Sequence, residues 1–256
     1  MNISVAELNR LKMSTKSQSR VVTILGSTGS IGSNTLDLIS RNRDQFSVYA
    51  LTAHSNVEKL ARQAIEFNAK MAVIADEAYF DDLKTALFGT GIIAAAGQDA
   101  LNEAADAPAD WVMSSIVGAA GLSPTLTAIK RGATIGLANK ECLVCAGDFM
   151  MDQVKQHNAT IIPVDSEHNA IFQIFDFDNC QSVEKITLTA SGGPFLDMDM
   201  KLMSKITPEQ AIKHPNWSMG AKISVDSATM MNKGLELIEA YYLFPVDKDQ
   251  LDIIIH

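Results

Sequence analysis

Cysteine, positive charge and long apolar runs are all scarce in this chain, and each shortage removes a class of explanation. Only three cysteines stand among 256 residues, Cys142, Cys145 and Cys180. An odd count without the apolar run of a secretory leader points to a reducing compartment rather than a disulfide scaffold. Cys142 and Cys145 form a CxxC, which can mean zinc or redox chemistry. A structural zinc site needs four ligands and no second pair exists, so the spacing reads as accidental within an apolar helix. Lys and Arg total 21 against 30 Asp and Glu, a net charge of -9. That balance argues against nucleic acid or an anionic membrane as the main partner. It leaves small anions open, because a helix N-terminus and a few local cations suffice to hold a phosphate. No run of about eighteen apolar residues occurs, which excludes an ordinary membrane-spanning helix.

What is present is an ordinary globular composition, 47% hydrophobic and 20% charged, long enough for one large domain or two smaller ones. The first twenty residues hold Arg10, Lys12, Lys16 and Arg20 against Glu7. They could be a targeting segment, but lack an apolar core, so residues 1–19 read as a loose extension, with Met13 as an alternative start. From Arg20 to about Ile162 short β-rich runs alternate with helical stretches. Strands are predicted at 21–25, 48–52, 71–75, 92–95, 111–114 and 134–137, with another ending at 161–164. Helices are predicted near 31–41, 57–68, 77–88, 98–105, 122–131 and 141–157. Such alternation implies a mostly parallel sheet covered on both faces. After Asn169 the pattern changes to a strand over 183–189, a Met-rich mixed stretch to Gly220, a long helix over 226–244 and a strand from Leu251. The expected domains are therefore 20–164 and 165–256, with a flap about 191–220 in the second.

Gly26-Ser-Thr-Gly29-Ser-Ile-Gly32 falls between the first strand and the first helix. Glycines there allow a tight turn and close approach of a pyrophosphate to the helix N-terminus. The spacing is GxxGxxG rather than the commoner GxGxxG, so it is the strand-turn-helix setting that favours dinucleotide binding over a structural turn. NAD-type sites usually carry an acid at the end of the second strand, where this chain reads Ala53-His54-Ser55-Asn56. A 2'-phosphate would be tolerated and His54, Ser55 and Asn56 could donate to it, which favours NADP(H). Asn139-Lys140-Glu141 opens a helix on the carboxyl side of the sheet. Lys140 is either a surface lysine or a ligand for a substrate anion or carbonyl; its unfavourable place at a helix start favours the second.

Pro163-Val164-Asp165-Ser166-Glu167-His168-Asn169 concentrates polar chemistry behind a strand. If the backbone stays extended, Asp165 and Glu167 project to one side and offer oxygen ligands to Mg2+ or Mn2+. The alternative is a polar loop whose Asp and Ser cap the next helix. His214-Pro-Asn-Trp217-Ser-Met-Gly220 suits a mobile flap, although a lone His and Trp are more often packing residues. Over the predicted helix 226–244, Met231, Leu235, Ile238 and Tyr242 form a stripe expected to be buried. Thr229, Asn232, Lys233 and Glu236 lie on the other face, which is either solvated or functional. Ser227, Asn232 and Lys233 suit a phosphate cradle near a helix start, and Glu236 could complete a carboxylate triad with Asp165 and Glu167.

These segments resemble the 1-deoxy-D-xylulose 5-phosphate reductoisomerase family of the non-mevalonate isoprenoid pathway. The resemblance rests on GSTGSIG at 26–32, VGAAGL at 117–122, LANKE at 137–141, PVDSEHNAIFQ at 163–173, SGGPF at 191–195, HPNWSMG at 214–220 and KISVDSATMMNKGLE at 222–236. It implies a Rossmann-like NADPH-binding domain followed by an α+β catalytic domain, in a bacterial cytoplasmic homodimer. It further implies that Thr28, Gly29, Ser30, Ile31, His54, Ser55, Asn56, Asn139, Glu141 and Gly220 contact NADPH. Asp165, Glu167 and Glu236 would bind Mg2+ or Mn2+. Lys140, Ser166, Ser191, His214, Ser227, Asn232 and Lys233 would hold the phosphorylated ketose, with Trp217 in the flap and Glu167 and Glu236 also facing the substrate. The implied chemistry is rearrangement, by retro-aldol cleavage and re-addition, and then reduction to 2-C-methyl-D-erythritol 4-phosphate.

The chain departs from the family pattern in three ways. His54-Ser55-Asn56 stands where Gly-Lys-Asn is usual, Cys142 replaces a common serine, and family members continue beyond the strand at Ile253–His256. Two further readings follow: a module that binds NADPH without catalysis, and another NADP-dependent dehydrogenase, such as a semialdehyde dehydrogenase, which would need a catalytic cysteine beside the cofactor.

Overall fold

Strands rich in Val, Ile, Leu, Met and Ala require a sheet covered on both faces. The computed structural model describes residues 19–214 and 220–256 and contains such a sheet. Its strands are β1 (Arg20–Leu25), β2 (Phe46–Ala53), β3 (Met71–Ile74), β4 (Ile93–Ala96), β5 (Trp111–Ser114), β6 (Thr134–Leu137) and β7 (Thr160–Pro163). Between them run α1 (Ser30–Ser40), α2 (Val57–Glu66), α3 (Phe80–Ala86), α4 (Gly97–Asp106), α5 (Leu122–Lys130) and α6 (Lys140–Gln156). The strands are all parallel, in the order β4-β3-β2-β1-β5-β6-β7. Strand order reverses at β1, so the ligand crevice of an open α/β sheet belongs outside the carboxyl ends of β1 and β5.

Successive strand residues face opposite ways, and the core divides accordingly. Leu51, Ala53, Ala72 and Ile74 pack with Leu36 and Ile39 of α1, Leu60 and Ala64 of α2, and Leu83 of α3. Their neighbours Ala50, Met71 and Val73 pack instead with Ala100, Leu101 and Ala104 of α4. Each large apolar side chain buried in this way contributes roughly 1.5–3 kcal/mol. The helix expected over 77–88 is interrupted: Asp76 caps a 3-10 turn at Glu77–Tyr79 before α3 begins. α6 covers its expected span but kinks at Ala146, where φ is -146°.

The chain divides into two compact units between Asp165 and Ser166. The second holds α7 (Ser166–Ile174), β8 (Ile186–Ala190), α8 (Met200–Met203), α9 (Pro208–Ala211), α10 (Ala221–Ala228), α11 (Met231–Leu243) and β9 (Leu251–Ile255). β8 starts at Ile186 rather than at the expected 183, and a 3-10 turn precedes it at Cys180–Ser182. It pairs in parallel with β9. Two strands alone are marginal in water. Here Ile186 and Leu188 are buried with Phe175, Ala240 and Phe244, whose two rings lie 5.3 Å apart.

The single helix expected over 226–244 is two helices. Met230 adopts the left-handed region at φ 61°, which ends α10 and starts α11. The Thr229 hydroxyl donates back to the Val225 carbonyl at 3.0 Å, a local bond that competes with helix continuation. The expected burial is also inverted. Met231 is 48% exposed and Ile238 38%, whereas Lys233, Glu236, Glu239 and Ala240 are buried. Opposite charges that pair inside the fold let this face be buried; apolar periodicity alone misreads it.

Candidate active site

The turn after β1 is shaped by backbone approach. Gly26 has φ +87°, and a Cβ there would lie 2.9 Å from the Ser115 carbonyl oxygen. A Cβ on Gly32 would lie 2.4 Å from the Gly26 oxygen and 2.5 Å from the Ser27 Cα. These two positions leave no room for a side chain. Gly29 is the N-cap of α1 and supplies no side-chain cap, and the first-turn amide hydrogens of a helix, which lack intrahelical acceptors, suit an anion. The turn is tied to α2: Gln63 Nε2 donates to the Ser27 carbonyl at 3.1 Å, and Lys59 Nζ to the Thr28 carbonyl at 2.8 Å. His54, Ser55 and Asn56 are exposed beyond β2. Asn56 also has a structural task, since its Oδ1 accepts from the Lys59 amide at 3.0 Å and caps α2.

Asn139 is buried at the start of α6, with its amide nitrogen bonded to the Ile116 and Gly118 carbonyls at 2.5 and 2.9 Å. Gly121 makes room for it, because a Cβ there would lie 2.3 Å from Asn139 Nδ2. Asn139 Oδ1 is buried with no hydrogen-bond partner among the described residues. An orphaned acceptor held this firmly is prepared for a donor from a ligand. Lys140, 8% exposed, opens α6 against the helix dipole. Asp165 offsets that cost, its Oδ2 lying 2.5 Å from Lys140 Nζ. Glu141 stands beside them in the first turn of α6.

Asp165 and Glu167 do not share one extended segment. α7 begins at Ser166, which puts Glu167 in a first helical turn, where a carboxylate is favourable. The expectation of two carboxylates projecting from one strand is therefore corrected. Within the second unit Glu167 meets α11 instead. Lys233 Nζ lies 2.7 Å from Glu167 Oε1 and also bonds Glu236 Oε2. Asn232 Nδ2 donates to Glu236 Oε1 at 2.5 Å, and Ser166 Oγ to Glu167 Oε2 at 2.6 Å. Burial would raise the Glu167 pKa, but the Lys233 and Ser166 hydrogen bonds and the Lys233 charge outweigh it and bring it from 4.5 to about 2. Two carboxylates thus converge on one cation.

Beneath them lies a pair that the sequence reading did not single out. His168 is fully buried, its Nε2 2.9 Å from the Glu236 carbonyl oxygen and its Nδ1 3.2 Å from Glu239 Oε2. It joins α7 to α11 one residue from Glu167 and holds the backbone of Glu236 itself. Glu239 is invisible to motif reading because it sits in an apparently apolar helix. Gly121 and Lys59 were likewise missed, and only the three-residue step from Asn56 to Lys59 marks the latter as a first-turn residue.

Ser191 Oγ lies 3.1 Å from His214 Nε2. Gly192 and Gly193 both have positive φ, and a Cβ on Gly193 would lie 2.5 Å from the Ser227 carbonyl oxygen. The turn after β8 thereby comes against the last turn of α10, so Ser227 sits at a helix end rather than the expected helix start. Asn232 and Lys233 do occupy the first turn of α11. Gly220 is the exposed N-cap of α10. Trp217 lies outside the described residues.

Two family models match the chain: 1-deoxy-D-xylulose 5-phosphate reductoisomerase over residues 22–147, and the C-terminal domain of the same enzyme over 161–244. The 1-deoxy-D-xylulose 5-phosphate reductoisomerase of Zymomonas mobilis is 59% identical over 240 residues, covering 94% of this chain and 62% of the relative. That of Rhodospirillum centenum is 57% identical over 237 residues, covering 93% and 59%. A solved structure of the Zymomonas mobilis enzyme with NADPH superposes with a TM-score of 0.88 at 55% identity, covering 93% of this chain and 62% of that one. A reductoisomerase structure with NADPH, fosmidomycin and magnesium also gives 0.88, at 44% identity and 93% and 61% coverage. The chain spans about six-tenths of the length of these relatives. It belongs to the 1-deoxy-D-xylulose 5-phosphate reductoisomerase family.

Proposed function

We propose that this chain carries the cofactor site and most of the active-site residues of an NADPH- and divalent-metal-dependent reductoisomerase. That enzyme would convert 1-deoxy-D-xylulose 5-phosphate to 2-C-methyl-D-erythritol 4-phosphate. What carries the reading is the convergence of Glu167 and Glu236 on the Lys233 ammonium, an oxygen-lined seat already holding positive charge. Oxygen donors of this kind fit Mg2+ or Mn2+, and Asp165, Glu167 and Glu236 would hold the ion. When bound, a divalent ion supplies Lewis-acid polarisation of the ketose oxygens. The glycine turn fits a dinucleotide pyrophosphate, and the orphaned Asn139 Oδ1 fits a ligand amide. Thr28, Gly29, Ser30, Ile31, His54, Ser55, Asn56, Asn139, Glu141 and Gly220 would hold NADPH, which supplies hydride.

The remaining residues position the ketose. Ser191, His214, Ser227, Asn232 and Lys233 can donate to its phosphate, and Lys233 would move from the carboxylates to do so. Ser166 and Lys140 would bind at the reacting end, and Trp217 would cover it. The test is NADPH oxidation with 1-deoxy-D-xylulose 5-phosphate and Mn2+, in a chain extended to the relatives' length. Glu167→Gln should abolish turnover, and unchanged turnover would remove the metal assignment.

A further inference from the structure

The end of β2 lacks the acid that binds ribose hydroxyls, and His54-Ser55-Asn56 also lacks a lysine there. His54, Ser55 and Asn56 can donate to a 2'-phosphate in this place, but none of them is a lysine or arginine. We infer that Lys59, on the first turn of α2, is the residue that selects NADPH over NADH by binding the 2'-phosphate. The inference rests on the dinucleotide reading above and adds the residue that sets its specificity.

Three observations support it. Lys59 Nζ donates to the Thr28 carbonyl at 2.8 Å, so the ammonium stands between the turn that follows β1 and the helix that follows β2. β1 and β2 are neighbours in the sheet, and the adenosine ribose of a dinucleotide lies between those two strand ends. Thr28 uses one of three ammonium hydrogens, and no carboxylate pairs with Lys59 among the described residues, so its charge is available to an anion. Its place is also fixed: the Asn56 side chain caps α2 through the Lys59 amide, and Lys59 is half-buried. Glu58, next in sequence, is exposed, while Ser55 and His54 stand beside the site as further donors.

Equilibrium binding of NADPH and NADH to the chain and to Lys59→Met and Lys59→Arg variants tests the inference. Lys59→Met should weaken NADPH binding by on the order of tenfold or more, as loss of a charged hydrogen bond does, and leave NADH affinity unchanged. Lys59→Arg should restore most of the NADPH affinity. Equal loss for both dinucleotides would overturn the inference and make Lys59 a brace for the turn; no loss for either would overturn it as well. If the unaltered chain binds neither dinucleotide, the dinucleotide reading fails with it. Chain that binds NADPH tightly but ignores Lys59→Met leaves that reading standing and removes only Lys59.

Discussion

Replacing Lys233 with Met isolates the electrostatics of the carboxylate pair. The variant keeps a stem of similar length and removes the ammonium that Glu167 and Glu236 share. Carboxylate oxygens of these residues lie within 4.8 Å of each other. At an effective dielectric constant of ~20, two unit charges at the outer limit of that separation repel by about 3.5 kcal/mol, and closer ones by more. Breaking a buried ion pair by removing one partner typically costs about 3–5 kcal/mol, a similar figure. Glu236 is only 1% exposed and the Glu167 side chain 25%, so solvent relieves only part of this. Urea denaturation in the presence of EDTA should therefore show Lys233→Met destabilised by about 3 kcal/mol with the slope unchanged. Mn2+ should recover most of that loss, because a divalent ion replaces the missing charge and binds only the folded state. A loss below about 0.5 kcal/mol in EDTA, or an equal loss with and without Mn2+, would refute the reasoning.

Two further outcomes follow from the same geometry. Gly32→Ala places a Cβ 2.4 Å from the Gly26 oxygen, so the turn must shift; NADPH binding should fall at least tenfold while far-UV circular dichroism changes little. The lowered Glu167 pKa sets a pH dependence in the metal-free chain. Because the folded value, about 2, lies below the ordinary 4.5, the stabilisation is complete above pH 4.5 and lost as the pH falls towards 2. With one quarter of the side chain exposed, the difference between the chain and Glu167→Gln should shrink by on the order of 1–2 kcal/mol over that range. A flat difference in urea denaturation across those pH values would contradict the Lys233 pairing.

The sheet was the most legible part of the molecule, for a physical reason. Parallel strands such as Met71–Ile74 are apolar on both faces, and turns and helices separate them at regular spacing, so local composition carries the topology. The glycine turn was legible because steric exclusion is written in the residue type itself. α11 was not. Its buried face is made by Lys233 meeting Glu167, 66 positions away, and by Glu239 meeting His168, and no periodicity in 231–243 records those partners. Met230 takes the left-handed conformation without being a glycine, so no glycine marks the break in the sequence. The start of α7 failed for a different reason: Asp and Ser suit both a strand end and a helix start, and extended geometry was the wrong choice between them.

The most direct test of the metal assignment is the Mn2+ stoichiometry and affinity of this 256-residue chain, read by electron paramagnetic resonance beside Glu236→Gln. The structure predicts one ion per chain, with affinity reduced at least tenfold in the variant and overall fold retained. Binding that is absent from the unaltered chain, or unchanged by Glu236→Gln, would contradict it.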